Sequence, residues 1–195
     1  MPAFDLRYIQ AAKYINNNGT ISHTGKIKVG DAMTVNLSLR FAEGRNYAEG
    51  SLAEYMRKAT GGSISIAVKY LSLAVQKFLY GAQADVVNVG GSSATKNVDG
   101  IVYTGMDVTP YVAVSCYAPT LIDSVEKYTC VLIHRTLFGP PDMNFQTASD
   151  NINFSTPTTS GEFLPDNSDD RKLLSVAICD TYEEAIAWCD AVLAT

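Results

Sequence analysis

Residues 109–164 read TPYVAVSCYAPTLIDSVEKYTCVLIHRTLFGPPDMNFQTASDNINFSTPTTSGEFL. Two runs in this stretch, 110–117 and 128–138, have the composition of strands and are joined by a mixed connection. Gly139-Pro140-Pro141 breaks the second run. A polar stretch follows, and then the extended segment Phe154-Ser-Thr-Pro-Thr-Thr-Ser-Gly-Glu-Phe163-Leu164. Within 128–138, Cys130, Leu132, His134, Thr136 and Phe138 fall on one face, and Val131, Ile133, Arg135 and Leu137 on the other. Both faces are largely apolar. The run therefore predicts a central strand covered on both sides.

The flanking sequence carries the same β signature. Residues 33–41 (MTVNLSLRF) alternate cleanly, with Met33, Val35, Leu37, Leu39 and Phe41 on one face, and predict a half-buried strand. Residues 63–70 (SISIAVKY) alternate too, with Ile64, Ile66 and Val68 together. Leu71, Val75, Phe78 and Leu79 lie at helical spacing, with Ser72 as a possible cap and Gly81 as a stop. Gly90-Gly91 and Asp99-Gly100 in 84–104 are hairpin-type signals. Nearer the N-terminus, 6–15 fits neither template, 16–19 (NNNG) is a turn, and 20–29 alternates weakly as a strand or an arm. Residues 173–179 read as a strand. A last helix starts at Asp180 or Thr181 and runs over about 181–193, with a Thr181/Glu184 capping box. Its apolar stripe is Tyr182, Ala185, Ile186, Cys189, Val192 and Leu193.

No internal repeat or linker divides the chain, so 1–195 is expected to be a single domain. Without a βαβ alternation the pattern is mainly β (α+β): an antiparallel β-sandwich or barrel with one or two flanking helices and an extended arm loop over about 42–62. At 195 residues the chain is long enough for a real core. Apolar residues make up 47% and charged residues 18%, which is a globular balance and not a disordered one.

Several function classes are disfavoured. The net charge of −5 is wrong for a protein that grips nucleic acid through its phosphates. Residues 1–15 place Asp5, Arg7, Gln10 and Lys13 among their apolar residues, so no secretion signal and no membrane segment is expected. The four cysteines, Cys116, Cys130, Cys179 and Cys189, have no C-x-x-C spacing. With two histidines only, His23 and His134, no metal site is expected, and the cysteines read as reduced thiols in a protein made in the cytoplasm. Gly61-Gly62 and Gly90-Gly91 make no G-x-G-x-x-G, so they read as turn glycines and no cofactor is expected. Asp166, Asp169 and Asp170 lack the spacing and turn glycine of a calcium loop and read as a solvated loop. His134 lies within conceivable reach of Cys116 or Cys130. A thiol hydrolase built on Cys130 and His134 is the only catalytic reading, and a structural strand histidine is preferred.

The segment AEGRNYAEGSLAEYMRKATGG (42–62) is the most informative feature outside the core. Charges are interspersed along it, 52–58 has helical propensity, and it also carries Tyr47, Leu52, Tyr55 and Met56. A long excursion of this kind in a compact domain is usually functional or disordered.

The order of the pieces in 109–164 resembles the C-terminal half of the major tail proteins of long-tailed, siphovirus-type phages, the family that builds the tail tube. In that family two apolar strands precede a Thr/Ser/Pro-rich segment much like 154–164. The resemblance covers 33–179 in its order of elements and is tightest over 111–164. The longer, more apolar N-terminal segment and the helix at 182–193 depart from the pattern. The resemblance implies a structural virion subunit and not an enzyme. It implies a homo-oligomer of stacked rings, hexameric in the family, whose inner sheets join into one barrel around a lumen. DNA would pass through that lumen without specific binding. Tape measure and tail-terminator proteins would be the further partners, and the virion tail the location. The connection at 42–62 would be the arm that reaches a neighbouring subunit, with Arg40, Glu43, Arg45, Tyr47, Glu49, Tyr55 and Arg57 as contact candidates. Two alternatives stay open: a tube subunit of a phage-derived bacteriocin particle, and a β-sandwich module that recognises a glycan or protein surface through some of its eleven tyrosines.

Overall fold

The computed structural model describes residues 5–48, 51–91, 94–142 and 156–194. The chain is mainly β, as the alternating runs predict, with antiparallel pairing throughout and two helices. In order, the elements are β1 (Arg7–Asn17), β2 (Thr20–Lys28), β3 (Ala32–Ala48), β4 (Ser51–Val68), α1 (Leu73–Tyr80), β5 (Gln83–Gly91), β6 (Ala94–Val102), β7 (Val112–Ile122), β8 (Val125–Phe138), β9 (Thr158–Phe163), β10 (Leu174–Cys179) and α2 (Tyr182–Val192).

Eight of the strands form one sheet in the order β2-β1-β7-β8-β9-β4-β3, with β10 also on β8. The sheet forks at β8. One edge of that strand pairs with β7; the other pairs with β10 along 128–133 and with β9 along 136–138. The sheet curls so that Ile9, Val112, Val114 and Ile133 on one side of the fork meet Ile64, Ile66, Val68 and Phe163 on the other. Helix α1 fills this core with Val75, Leu79 and Tyr80. The expected barrel does not close, because β2 and β3 stay at opposite ends of the hydrogen-bonded order. Helix α2 covers the other face of β7 and β8. Its Ala185 and Cys189 pack on Tyr117 and Cys130, and Leu193 packs on Ala12, Ala113 and Leu132. Strands β7 and β8 are therefore buried on both faces, which is why they read as apolar runs.

The sequence and the structure differ in instructive places. The connection between β7 and β8 is only Asp123 and Ser124, both at positive φ (49° and 65°), a tight hairpin turn. The 6–15 segment is strand β1, held between β2 and β7. Asp99-Gly100 is not a turn but lies inside β6, opposite Val86 and Asp85. In β8 the register jumps from Val114↔Ile133 to Val112↔Thr136, so His134 and Arg135 together oppose one residue of β7. This bulge changes the facing of every later side chain. Phe138 thereby joins Ile133 in the main core, whereas Leu132 lies under α2. The simple alternation expected for 128–138 is thus broken halfway.

Both helix ends follow their local chemistry. The Ser72 side chain accepts from Val75 N, and Gly81 takes the left-handed φ of 72° that ends α1. The Thr181–Glu184 capping box is formed, which starts α2.

Candidate assembly surface

The arm is the largest feature outside the core, and it is not a loop. Strands β3 and β4 are 17 and 18 residues long and pair from Ala32↔Val68 to Ala48↔Ser51. Residues 52–58, with their helical propensity, are strand because pairing with 42–47 holds them, Ala53 excepted. Strand β9 pairs with β4 only over Gly62–Ala67. Beyond that point the two strands have only each other. The ribbon from Phe41 onward extends about 25 Å at roughly 3.3 Å per residue.

A bulge marks where the ribbon leaves the sheet. Register shifts from Arg40↔Gly61 to Phe41↔Ala59, which leaves Thr60 without an opposite residue. Thr60 Oγ1 donates to Arg40 O at 3.3 Å. Gly61 has φ +148°, and a Cβ there would lie 2.6 Å from Phe163 O. Only glycine fits this corner.

Four of the seven contact candidates form one cross-strand group. Glu43 lies opposite Arg57 and Arg45 opposite Tyr55. The Arg57 side chain is 3.3 Å from Glu43, and Arg45 is 3.7 Å from the same carboxylate. The Arg45 guanidinium stands 5.6 Å from the Tyr55 ring centroid. The Tyr55 phenol is pushed above its usual pKa, first by desolvation and then by a hydrogen bond to Glu43. Glu43, Arg45, Tyr55 and Arg57 thus form one ladder with Phe41 at its base. Tyr47 projects further along and is 62% exposed. Arg40 is apart from the ladder and pairs with Glu162 of β9 at 3.2 Å. Glu49 lies outside the described residues. Ion pairs this exposed contribute at most about 1 kcal/mol each. They shape the arm without anchoring it.

Two features were not anticipated. The first is the apolar face of β3. Leu37 opposes Ile64 and Val35 opposes Ile66, so this face points inward, yet only Val35 reaches the core. Leu37, Leu39 and Phe41 are 39%, 43% and 38% exposed. The half-burial expected of 33–41 fails because β3 is the last strand of the sheet and, among the described residues, none covers its outer half. The second is the β5–β6 hairpin, a separate two-stranded sheet. Val86, Val87, Val89 and Val98 are all exposed there. A lone two-stranded ribbon is marginal in water, so this one needs support from outside. Gly90 and Gly91, expected as turn glycines, are paired strand residues at the end of β5, and valines on both faces give no sign of which side is covered.

The thiol reading does not assemble. Cys130 is fully buried, and its Sγ lies 3.9 Å from Ala185 O and 3.7 Å from Cys179 Sγ. A hydrogen-bonded contact with Cys189 and burial both push its thiol pKa far up. His134 instead meets Ser175. Among the described residues, no group of three or more His, Cys, Asp or Glu side chains is arranged to hold a metal ion. Among the same residues no helix is long and apolar enough to cross a membrane. Of the tyrosines of the glycan-module reading, Tyr8, Tyr117, Tyr128 and Tyr182 pack ring against ring around the buried Tyr117, whereas Tyr55 stands on the arm and Tyr70 precedes α1.

Searched against known protein families and curated proteins, the chain matches no family model and no curated protein.

Proposed function

We propose that this chain is a self-assembling structural subunit, the major tail-tube protein of a long-tailed phage. The observation that carries the reading is the β3–β4 ribbon: a long arm with a paired ionic and aromatic face, continuous with an apolar edge strand that none of the described residues covers. An uncovered edge with exposed Leu37, Leu39 and Phe41 is an aggregation hazard in a monomer. In a ring it becomes an interface. A head-to-tail contact that closes by rotation removes the free edges of every copy. Sheet edges joining around a lumen account for the ring, and arms reaching the next ring account for stacking. The resemblance of 109–164 to the tail-tube family points the same way and supplies the hexameric count, the virion location and the tape measure and terminator partners.

Concentration-dependent assembly tests the reading. At high protein concentration, negative-stain electron microscopy and sedimentation should find rings or tubes. A chain that stays monomeric at all concentrations and binds a glycan array would instead establish the ligand-binding module.

A further inference from the structure

Strand β10, the loop before it and the bulge of β8 bring three side chains of hydrolytic chemistry together. His134 sits in the β8 bulge, just past the end of the β8–β10 ladder, where its N–H donates to Leu173 O at 3.3 Å. Ser175 lies on β10 opposite Leu132. Its Oγ is 2.7 Å from His134 Nε2. Asp166 Oδ2 lies 3.9 Å from His134 Nδ1. The Asp166 carboxylate cannot drift, because its Oδ1 accepts from Ser168 N (3.3 Å), Ser168 Oγ (2.6 Å) and Lys172 N (2.7 Å). It is 4% exposed.

We propose that Ser175, with His134 as its base and Asp166 as the residue that positions His134, is a nucleophilic site for small esters with an apolar acyl group. One hydrogen bond and one charge contact make the arrangement of an activated nucleophile: base within hydrogen-bond reach of the serine, and base faced by a carboxylate. The 3.9 Å contact is of the looser kind that such sites show without substrate. The carboxylate favours the tautomer with the proton on Nδ1, leaving Nε2 to accept the serine hydroxyl. Burial lowers the His134 pKa from its ordinary value, so the ring is a neutral base at pH 7. Beside it opens a cavity of about 690 Å³, with Ile21, Leu132, Trp188 and Val192 as apolar wall and Lys172 as a cation.

In the first step Ser175 Oγ attacks the ester carbonyl carbon and its proton passes to His134 Nε2. The imidazolium faces Asp166, and the oxyanion develops in the cavity that Lys172 helps to line. Collapse breaks the ester C–O bond, and the leaving alcohol takes the proton from His134. Water then attacks the acyl-serine and gives a proton to His134; collapse breaks the bond from the acyl carbon to Ser175 Oγ, which takes that proton back as the carboxylic acid leaves. This site is independent of assembly and does not rest on the tail-tube reading.

A fluorophosphonate probe on the intact chain tests the proposal. Peptide mapping should place one adduct on Ser175, formed at least about tenfold faster than on the urea-unfolded chain, since general-base assistance is worth about 10²–10⁴-fold. Ser175→Ala should abolish it. His134→Gln should slow it at least about tenfold at an unchanged melting temperature. The wild-type rate should rise with pH through an inflection below 6.5 that His134→Gln removes, which separates His134 from His23 of the same cavity. Labelling no faster than in the unfolded chain, labelling that survives Ser175→Ala, or a rate indifferent to pH between 5 and 7 would each overturn the proposal.

Discussion

The Arg57 guanidinium lies 3.8 Å from the centroid of the Phe41 ring, across the two strands of the arm and just beyond the bulge at Thr60. The same arginine reaches Glu43 at 3.3 Å. One side chain therefore joins the last apolar residue of the β3 stripe to the first charge of the arm. This contact is exposed, so it is worth about 0.5–1 kcal/mol at most. Arg57→Ala should leave the melting temperature nearly unchanged. If the arm is the stacking element, the same variant should raise the protein concentration needed for assembly severalfold. Loss of a cooperative melt would place Arg57 in the folding core instead.

Shortening the arm separates folding from assembly more sharply. Among the described residues, the strand pairing of 43–57 runs only within the β3–β4 ribbon, whereas Gly61 and Gly62 are built into the sheet. Replacing 43–57 by an Asn-Gly turn should give a folded monomer with a cooperative melt that forms no tubes in the electron microscope. Tubes of normal length from this variant would remove the arm from the mechanism.

Gly62 tests the corner from the other side. A Cβ at this position would lie 2.2 Å from Ser38 O and 2.3 Å from Phe163 Cζ. Both neighbours are pinned, one as ladder backbone and one as a buried ring. Gly62→Ala should cost about 1–3 kcal/mol, as overpacking does. Urea denaturation measures it, and an unchanged midpoint would mean that the β3–β4–β9 junction is looser than these distances allow.

Leu132 and Ile133 face opposite sides of β8, one under α2 and one in the main core, and are 4% and 1% exposed. Leu132→Ala and Ile133→Ala should each cost about 2–5 kcal/mol. Costs near zero at both would contradict a strand covered on two faces.

The central strands, the helix caps and the β class were legible because local signals and tertiary packing agree there. Thr181 and Glu184 satisfy each other, and Ile64, Ile66 and Val68 alternate into one core. The misreadings arose where a long-range partner decides. Nothing within 52–58 says strand, since its pairing partner 42–47 lies across the turn. Nothing in MTVNLSLRF says that β3 is terminal, so its apolar face looked buried. The bulge at His134–Arg135 depends on the register with β7 and is invisible in β8 alone. The Ser175–His134 contact joins residues 41 apart and follows from the β8–β10 pairing. Of the arm candidates, Glu43, Arg45, Tyr55 and Arg57 are named from residue type and place alone, and the ladder they form follows from the β3–β4 register, which the sequence does not show.

The pH dependence of stability has a definite sign. Burial lowers the folded-state pKa of His134 below its ordinary 6.5; Asp166 opposes the shift, while Lys172 adds to it. Between that lowered value and 6.5 the unfolded chain binds more protons than the native one, so stability rises with pH across this window and levels off above it. Asp190, held down chiefly by its hydrogen bond from Lys26, adds stability that is lost as pH falls below 3.8. Melting temperatures from pH 4.5 to 8 should climb to about pH 6.5 and then flatten, with a shallower climb in His134→Gln. An equal climb in both chains would assign the effect to other groups.

Electrostatics and function meet in the last prediction. The net charge is −5, and the densest basic positions are small groups: Lys26 and Lys28, Arg57 and Lys58, Arg171 and Lys172. Each group is partly offset. Lys26 pairs with Asp190 at 2.6 Å, Lys28 with Asp31 at 3.0 Å, Arg57 with Glu43 at 3.3 Å and Lys172 with Asp170 at 3.6 Å. Affinity for DNA through counterion release needs several free cations set against successive phosphates. Neither the monomer nor an assembled ring should therefore retard duplex DNA in a gel at physiological salt. In a tube, neutral and acidic side chains should outnumber Lys and Arg on the lumen wall, so that DNA slides without being held. Micromolar binding that weakens steeply with added salt would overturn the tube reading and assign this fold a role in handling nucleic acid.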